Sequence, residues 1–339
     1  MLSNQIPPIA DEEQVRDHYD RGDDFYSWFL GPRMIYTSGV ISDIEKEETL
    51  EELQDNKMAV VCEKINLQKD EKMLDIGCGW GTLARFASVN HGAKVTGITL
   101  GRNQTKWGND ALRNAGIPED QSKILCMDYR DIPVPEGGYN KVTCLEMAEH
   151  VGVRHFHAFL KQVYDMLDDD GVFFLQIAGL RKSWQYEDLV WGLFMNKYIF
   201  PGADASTPLG FVVDKLEGAG FEVKGIDTIG VHYSATLWRW YRNWMANRDK
   251  VEAKYGKRWF RVRASLSNSD IEWHHILTDG YNRSGSSSLP TPPSSPAREV
   301  PHASRLFCRR TSTLPTELRA SPLLTAFWAL SRPLLRRST

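Results

Sequence analysis

The sequence predicts a doubly wound α/β domain, and three observations carry that prediction. From residue 72 onward, short apolar strands alternate with amphipathic helical stretches, the order that builds parallel βαβ units. A glycine-rich turn, running from Asp75 to Gly81, falls between the first strand and the first helix of that series. The chain has 339 residues, 42% of them hydrophobic, which is ample material for one large core.

The elements follow in order. Residues 1–10 read as a flexible arm, and 11–60 as a mainly helical cover. There the acidic stretch Glu45–Glu52 precedes Leu53, Val60, Val61 and Ile65 at helical spacing. KMLDI (72–76) is a buried strand, and LARFASVNHG (83–92) a helix ending on Gly92. KVTGITL (94–100) is the second strand, followed by a helix over 103–115 closed by Gly116 and Pro118. Strands are expected at 123–127, 140–145 and 172–178, with a helix near 154–168 between the last two. A helix over 211–219 and a strand over 221–230 come later.

Two aromatic-rich stretches, 184–202 and 236–245, interrupt this alternation. Each fits a packed core. Each also fits an apolar tunnel or a surface resting on lipid, where Trp and Tyr suit a boundary between apolar and wet regions.

Composition narrows the classes. A net charge of −3 gives no field that points to nucleic acid. The five cysteines are scattered without a C-x-x-C pair, so they form neither a zinc pattern nor a disulfide framework, and no metal site is expected. No apolar run approaches the roughly 18–20 residues that span a bilayer, and MLSNQIPPIADEE lacks a signal-peptide core. The chain is expected to be soluble or peripheral.

The glycine turn is the strongest chemical signal. Its glycines let the backbone turn tightly and let a ligand approach the peptide groups. A dinucleotide fingerprint reads G-x-G-x-x-G, and here the third glycine comes one residue early. The D-x-G-x-G-x-G form resembles motif I of the Rossmann-like methyltransferases, whose loop holds the methionine portion of S-adenosylmethionine. Many of these end the second strand on an acidic residue that holds the ribose. Here that strand runs Ile98-Thr99-Leu100-Gly101, with no carboxylate before Asp110, and Gln104 is the nearest suitable amide.

Six ordered blocks extend the likeness over residues 11–261: HYDRGDDFYSWFLGPRMIYTSG (18–39), MLDIGCGWGTLARFA (73–87), GITLGRNQ (97–104), LEMAEHVG (145–152), NKYIFPG (196–202) and GVHYSATLWRWYRNW (230–244). Together they resemble the cyclopropane-fatty-acid synthase and mycolic acid methyltransferase family, most of all its fungal sphingolipid C9-methyltransferase branch. The resemblance implies a Rossmann-like methyltransferase domain over 11–261, with a helical lipid-binding insertion at 179–210. It implies S-adenosylmethionine as cofactor and methylation at C9 of the Δ8-unsaturated sphingoid base of glucosylceramide. It further implies a membrane-lipid substrate and work at a membrane surface of the endoplasmic reticulum.

The resemblance also places residues. Tyr36 and Thr37 match the family's cofactor-contacting pair. Met73, Leu74, Asp75, Ile76, Gly77, Cys78, Gly79, Trp80 and Gly81 match its glycine loop. Thr99, Leu100, Gly101, Arg102, Asn103 and Gln104 match the segment at the ribose, and Tyr129 and Arg130 the pair beside the adenine. Glu149 and Tyr233 match two groups that hold bicarbonate in bacterial relatives, so bicarbonate is a second implied ligand. Ser38 stands where those relatives have the site's cysteine, and Gln176 where they have a histidine. Serine and glutamine still offer hydrogen bonds, but an imidazole able to relay a proton is gone.

That site suits its chemistry. Methyl transfer to an alkene leaves a carbocation, which must be shielded from water and then lose a proton. Loss from the new methyl closes a cyclopropane; loss from the methylated carbon restores a branched alkene. The Ser38 and Gln176 exchanges are expected to favour the branched alkene.

Bland roles stand beside the sharp ones. His18 and Tyr19 fit either a substrate channel or a helix cap, His150 and His155 read as structural or surface residues, and Cys78 as a small residue in the loop.

After residue 261 the composition changes. Residues 262–339 hold half of the 16 prolines, ten arginines and no lysine, a composition of disorder around 284–301. LLTAFWALSRPLLRR (323–337) is apolar and then basic. Nothing in 262–339 resembles the family's final antiparallel strand, so the tail is expected to be disordered or aberrant, with a sheet position left unpaired. The fungal relatives carry two membrane-spanning helices ahead of the domain, which implies truncation at both ends. The alternatives are a cyclopropane synthase acting on phospholipid acyl chains, a non-catalytic cofactor- or lipid-binding remnant, and a methyltransferase for a small soluble substrate.

Overall fold

The computed structural model describes residues 22–180, 182, 186–200, 202–262, 264 and 323–331. Its centre is a seven-stranded sheet of order β3-β2-β1-β4-β5-β7-β6. The strands are β1 Lys72–Ile76, β2 Lys94–Thr99, β3 Lys123–Cys126, β4 Tyr139–Leu145, β5 Leu167–Leu180, β6 Glu222–Thr228 and β7 Leu323–Ser331. Strands β1 to β5 pair in parallel, while β7 runs antiparallel to both β5 and β6. Helices α3 (Thr82–His91), α4 (Arg102–Asn114), α5 (Phe156–Met166) and α7 (Leu209–Gly218) make the crossovers. This is the expected doubly wound architecture, with the bounds of β1 to β6 and of these helices within two residues of those read from the sequence, except that β5 begins at Leu167, five residues before the expected 172.

Consecutive residues of a strand face opposite sides of the sheet, and the two cores follow that rule. Met73 and Phe174 join Val61, Leu83, Ala87, Val95 and Ile124 on one face. Their neighbours Leu74 and Phe173 join Val142, Phe159, Leu160 and Leu216 on the other. Strands buried on both faces explain why consecutive residues such as Met73 and Leu74, or Phe173 to Leu175, are apolar.

A third, aromatic core closes over the top of the sheet. Helix α1 (Asp23–Leu30) packs on α8 (Gly230–Ala246) through Phe25, Tyr26 and Phe29 against Trp240 and Trp244. Phe29 meets Trp240 and Trp244 edge-on, each with ring centroids 5.9 Å apart, the geometry that ring quadrupoles favour. Helix α2 (Leu50–Lys64) is started by a capping box: the Glu52 N–H donates to Thr49 Oγ1 at 3.2 Å, and the Thr49 N–H to Glu52 Oε2 at 2.7 Å. Of the apolar residues expected on its inner face, Leu53, Val61 and the following Ile65 are buried, and Val60 is half-buried.

The C-terminal region corrects one expectation. Leu323–Ser331 is a sheet strand, paired from Val172↔Ser331 to Leu180↔Leu323 along β5 and with β6 on its other side. The position expected to be open is filled. The segment LLTAFWALS is free of charge, glycine and proline, so it can satisfy the backbone groups of two neighbouring strands at once. The arm at 1–10, His18, Tyr19 and the Ser/Pro-rich stretch 284–301 lie outside the described residues.

Candidate active site

In open α/β sheets the crevice forms beyond the carboxyl ends of the strands, where the chain leaves neighbouring strands in opposite directions. Here β1 lies between β2 and β4, and the turns after these strands surround a cavity of about 830 Å³.

The glycine turn forms its floor. Gly77, Gly79 and Gly81 have φ of 75°, 54° and 73°, a region that other residues enter at a cost. The N–H groups of Gly77 and Cys78 both donate to the Ile98 carbonyl at 2.9 Å, tying the turn to β2. A Cβ on Gly77 would meet the Met147 side chain at 2.6 Å, whereas one on Gly79 would meet nothing within 4 Å. Gly79 thus offers bare backbone to open space. Trp80 is buried in the aromatic core and donates from its indole N–H to Asp23 Oδ1 at 3.0 Å, which fastens α1 to the turn.

The cavity gathers most of the expected cofactor residues. Tyr36, Thr37, Asp75, Ile76, Gly77, Cys78, Gly79, Trp80, Thr99, Leu100, Gly101, Gln104, Tyr129 and Arg130 line it. Five do not. Met73 and Leu74 are strand residues buried in the two cores. Gly81 packs against Ile124 and Gly108, and Arg102 and Asn103 point to solvent from the start of α4. A motif match covers a run of residues, but strand alternation and helix phase present only some of them to the cavity.

Gln104 is buried beside the cavity, accepting from Thr99 Oγ1 at 2.6 Å. Its side chain fills the space a Cβ on Gly101 would need. On the opposite wall, Tyr129 stands edge-on to Phe159 at 5.3 Å. Arg130 is held by Asp128 through two hydrogen bonds of 2.7 Å; that guanidinium keeps the Asp128 carboxyl below its usual range. Asp75 is buried and accepts from Thr143 Oγ1 at 2.8 Å; burial lifts its carboxyl to about 6, with Thr143 and Lys57 opposing. Burial also raises the Cys78 thiol well above its ordinary value, which fits its reading as a small residue rather than a nucleophile.

A second cavity, of about 540 Å³, adjoins the first, and both are lined by Tyr36, Glu146 and His150. Its walls are Leu180 of β5, Leu189 and Leu193 of α6 (Tyr186–Phe194), Met195 and Phe200 around the π-helical turn Met195–Ile199, and Leu237 and Trp240 of α8. Both aromatic stretches of the sequence therefore contribute to an apolar chamber, while Trp240 and Trp244 also serve the aromatic core. Tyr186, Leu189, Val190 and Leu193 on α6 are exposed.

Of the four expected catalytic residues, Glu149 and Tyr233 line the second cavity, whereas Ser38 and Gln176 line neither and are buried behind Glu146, a carboxylate not expected at the site. Glu146 accepts from the Ser38 N–H at 3.4 Å, from Tyr233 O–H at 3.4 Å and, closely, from the Gln176 side-chain amide. Gln176 also reaches Ser38 Oγ at 3.4 Å. Glu149 sits one turn on. Its Oε1 accepts from the Ala178 N–H at 2.6 Å, and its Oε2 is buried without a hydrogen-bond partner among the described residues. Burial, reinforced by the charge of Glu146, pushes its carboxyl up to about 8, so it is neutral at pH 7. Beneath this group lies Lys57, buried, donating to Thr37 Oγ1 and pushed down to about 8 by burial while Glu146 and Asp75 oppose the shift.

Two histidines received bland readings. His150 is confined beside both cavities, with its imidazole driven down to about 4 by burial; it is neutral. His155 is exposed at the rim of the first cavity. The one signal for Glu146 in the sequence is its place three residues before Glu149 in LEMAEHVG. Lys57 looks like any helix lysine.

A parallel sheet with one reversed strand and a glycine cradle at the end of β1 defines the class: this is the fold of the S-adenosylmethionine-dependent methyltransferases. Two solved structures share it, the cyclopropane synthase MmaA2 from Mycobacterium tuberculosis (TM-score 0.76, 20% identity, covering 95% of this chain and 99% of that one) and mycolic acid cyclopropane synthase CmaA1 complexed with SAH and CTAB (TM-score 0.75, 20% identity, 95% and 99%). The family model for mycolic acid cyclopropane synthetase matches residues 8–267, and the chain belongs to that family.

Among curated relatives, sphingolipid C9-methyltransferase 2 of Gibberella zeae is 82% identical over 252 residues, 74% of this chain and 48% of its own length. Sphingolipid C9-methyltransferase A of Emericella nidulans is 81% identical over 252 residues, 74% and 49%. Sphingolipid C9-methyltransferase of Komagataella phaffii is 73% identical over 273 residues, 77% and 56%. The chain spans about half the length of these relatives.

Proposed function

We propose that this chain carries the catalytic domain of an S-adenosylmethionine-dependent C-methyltransferase. Its substrate is the Δ8-unsaturated sphingoid base of glucosylceramide, methylated at C9. The observation that carries the proposal is the pair of joined cavities: one floored by bare glycine backbone, the other walled by aliphatic and aromatic side chains, with Tyr36, Glu146 and His150 between them. The names of the fungal relatives at 73–82% identity support the choice of lipid.

The residues present fit the cofactor. Open space over Gly79 admits the amino-acid portion against the backbone, the Thr99–Gln104 pair presents an amide for the ribose in place of an acidic residue, and Tyr129 offers a ring face beside Arg130 for the adenine. S-adenosylmethionine bound there supplies an electrophilic methyl on a sulfonium and leaves as a thioether. The chain's own residues do the rest. Tyr36 holds its ring at the junction, packed against Trp240 and Phe200, where a π face stabilises positive charge. Leu180, Leu237 and Trp240 hold the lipid chain and exclude water from the cation that follows attack by the double bond. The exposed apolar face of α6 lies beside this chamber, suited to receiving lipid from a membrane surface. Among the described residues, no helix is long and apolar enough to cross a membrane.

The test is calorimetric titration of the 339-residue chain with S-adenosylmethionine, followed by an assay on detergent-dispersed Δ8-unsaturated glucosylceramide with the product read by mass spectrometry. A product heavier by one CH2 that keeps its Δ8 double bond is expected, with the double bond shown by ozonolysis before mass spectrometry because a cyclopropane has the same mass. A cyclopropane product would replace the proposed outcome, and failure to bind the cofactor would remove the proposal.

A further inference from the structure

Methyl transfer to an alkene, the reaction proposed above on which this inference rests, leaves a proton to be removed inside an apolar chamber. The chemistry therefore demands a base at the junction. Three features of Glu146 mark it out.

First, it lines both cavities, so one carboxylate faces the methyl donor's space and the lipid's space together. Second, its two oxygens are held unequally. Oε1 takes both the Ser38 N–H and the Gln176 amide, whereas among the described residues Oε2 has only the Tyr233 hydroxyl at 3.4 Å. One oxygen is anchored and the other keeps lone-pair capacity. Third, its backbone sits at φ 55°, unfavourable for a residue with a Cβ. Its N–H is tied to the Gln176 carbonyl at 2.8 Å, so Gln176 fixes residue 146 through main chain and side chain alike. Backbone strain of this kind persists where the surroundings over-determine the conformation.

The donors grouped here also bear on bicarbonate. The Ser38 N–H, the Gln176 amide and the Tyr233 hydroxyl all donate to Glu146, and Gln176 also donates to Ser38 Oγ, which leaves that seat occupied by the protein's own carboxylate. The nearby Lys57 balances its charge. Burial raises the Glu146 carboxyl above its usual range, which makes it a better base than an exposed glutamate. Glu149, neutral at pH 7, is left as a hydrogen-bonding neighbour.

We infer that Glu146 is the proton acceptor of this site, filling the anion seat itself so that no free bicarbonate is needed. The balance is complete. The double bond's π pair forms the new bond to the methyl carbon, and the methyl–sulfur pair stays on sulfur. The C–H pair of the methylated carbon then forms the new double bond as its proton passes to Glu146 Oε2.

The test uses the full chain in bicarbonate-depleted buffer with two variants. Wild type should turn over within about twofold of its rate in added bicarbonate. Glu146→Gln should lose about 100-fold or more in kcat while its affinity for S-adenosylhomocysteine, read by calorimetry, stays within about threefold. Glu146→Gly suits the backbone at φ 55° and empties the seat. Formate titrated into this variant loaded with S-adenosylhomocysteine should give a saturable heat that wild type lacks, and formate or bicarbonate should restore part of its turnover. The inference is overturned if wild type requires bicarbonate, if Glu146→Gln keeps its kcat, or if wild type takes up formate as well as Glu146→Gly does. A wild-type sample inactive on every Δ8 lipid, whose glycine variant still gains the formate site, would overturn the lipid assigned above and support the filled seat.

Discussion

At the scale of single residues, the site concentrates ionisable groups: Lys57, Asp75 and Glu149, all buried, and the half-buried Glu146. Such clusters are costly to the fold and are kept where chemistry uses them. Glu149 gives a measurable consequence. Below pH 4.5 the folded and unfolded chains both hold its proton; between 4.5 and about 8 only the folded chain does. Its contribution to stability is therefore fully present at low pH and is lost as pH rises through that window. Glu149→Gln, which mimics the protonated form, should match wild type in thermal unfolding at pH 5. At pH 8.5 it should unfold about 5 °C higher than wild type. Equal midpoints at both values would mean that Glu149 is ionised in the folded protein. The same residues show the limit of sequence reading. Ser38, Glu149 and Tyr233 could be placed because each falls in one of the quoted blocks, and Gln176 because it matches a histidine of the relatives. Glu146 could not, since a glutamate after a strand carries no such mark until residues 30, 87 and 108 positions away close around it.

At the scale of elements, alternation made β1 to β6 and their helices legible to within a few residues. Strand β7 escaped for a physical reason. Its apolar run follows a long Ser/Pro/Arg-rich stretch, without local turns or alternating partners, and only the gap between β5 and β6 defines it as a strand. The glycine turn illustrates how one motif divides its work. Gly77→Ala would drive a methyl group into Met147 and should lower stability by about 1–3 kcal/mol, read from denaturant unfolding. Gly79→Ala meets no protein atom, so its cost to the fold should be limited to about 1 kcal/mol for its positive φ. Its larger effect should be weaker binding of S-adenosylhomocysteine, measured by calorimetry. Binding unaffected by Gly79→Ala would place the ligand elsewhere.

At the scale of the whole molecule, the sheet and its two cores form a rigid base, and the aromatic core joins α1 and α8 above it. The side proposed to receive lipid is built from α6, the π-helical turn and α8. Tyr186 and Val190 are exposed there but do not line the apolar chamber. The double variant Tyr186→Asp with Val190→Asp should slow methylation of substrate embedded in vesicles by about tenfold or more, with little change on detergent-dispersed substrate. Equal rates on vesicles would exclude this face as the point of lipid entry.

The partition formed by Tyr36, Glu146 and His150 has a thermodynamic corollary. A party wall cannot be private to one room: what one occupant does to the Tyr36 ring is felt by its neighbour. Linkage makes the influence mutual, so however strongly an alkyl guest changes the grip on the spent thioether, that thioether must change the grip on the guest by the same factor.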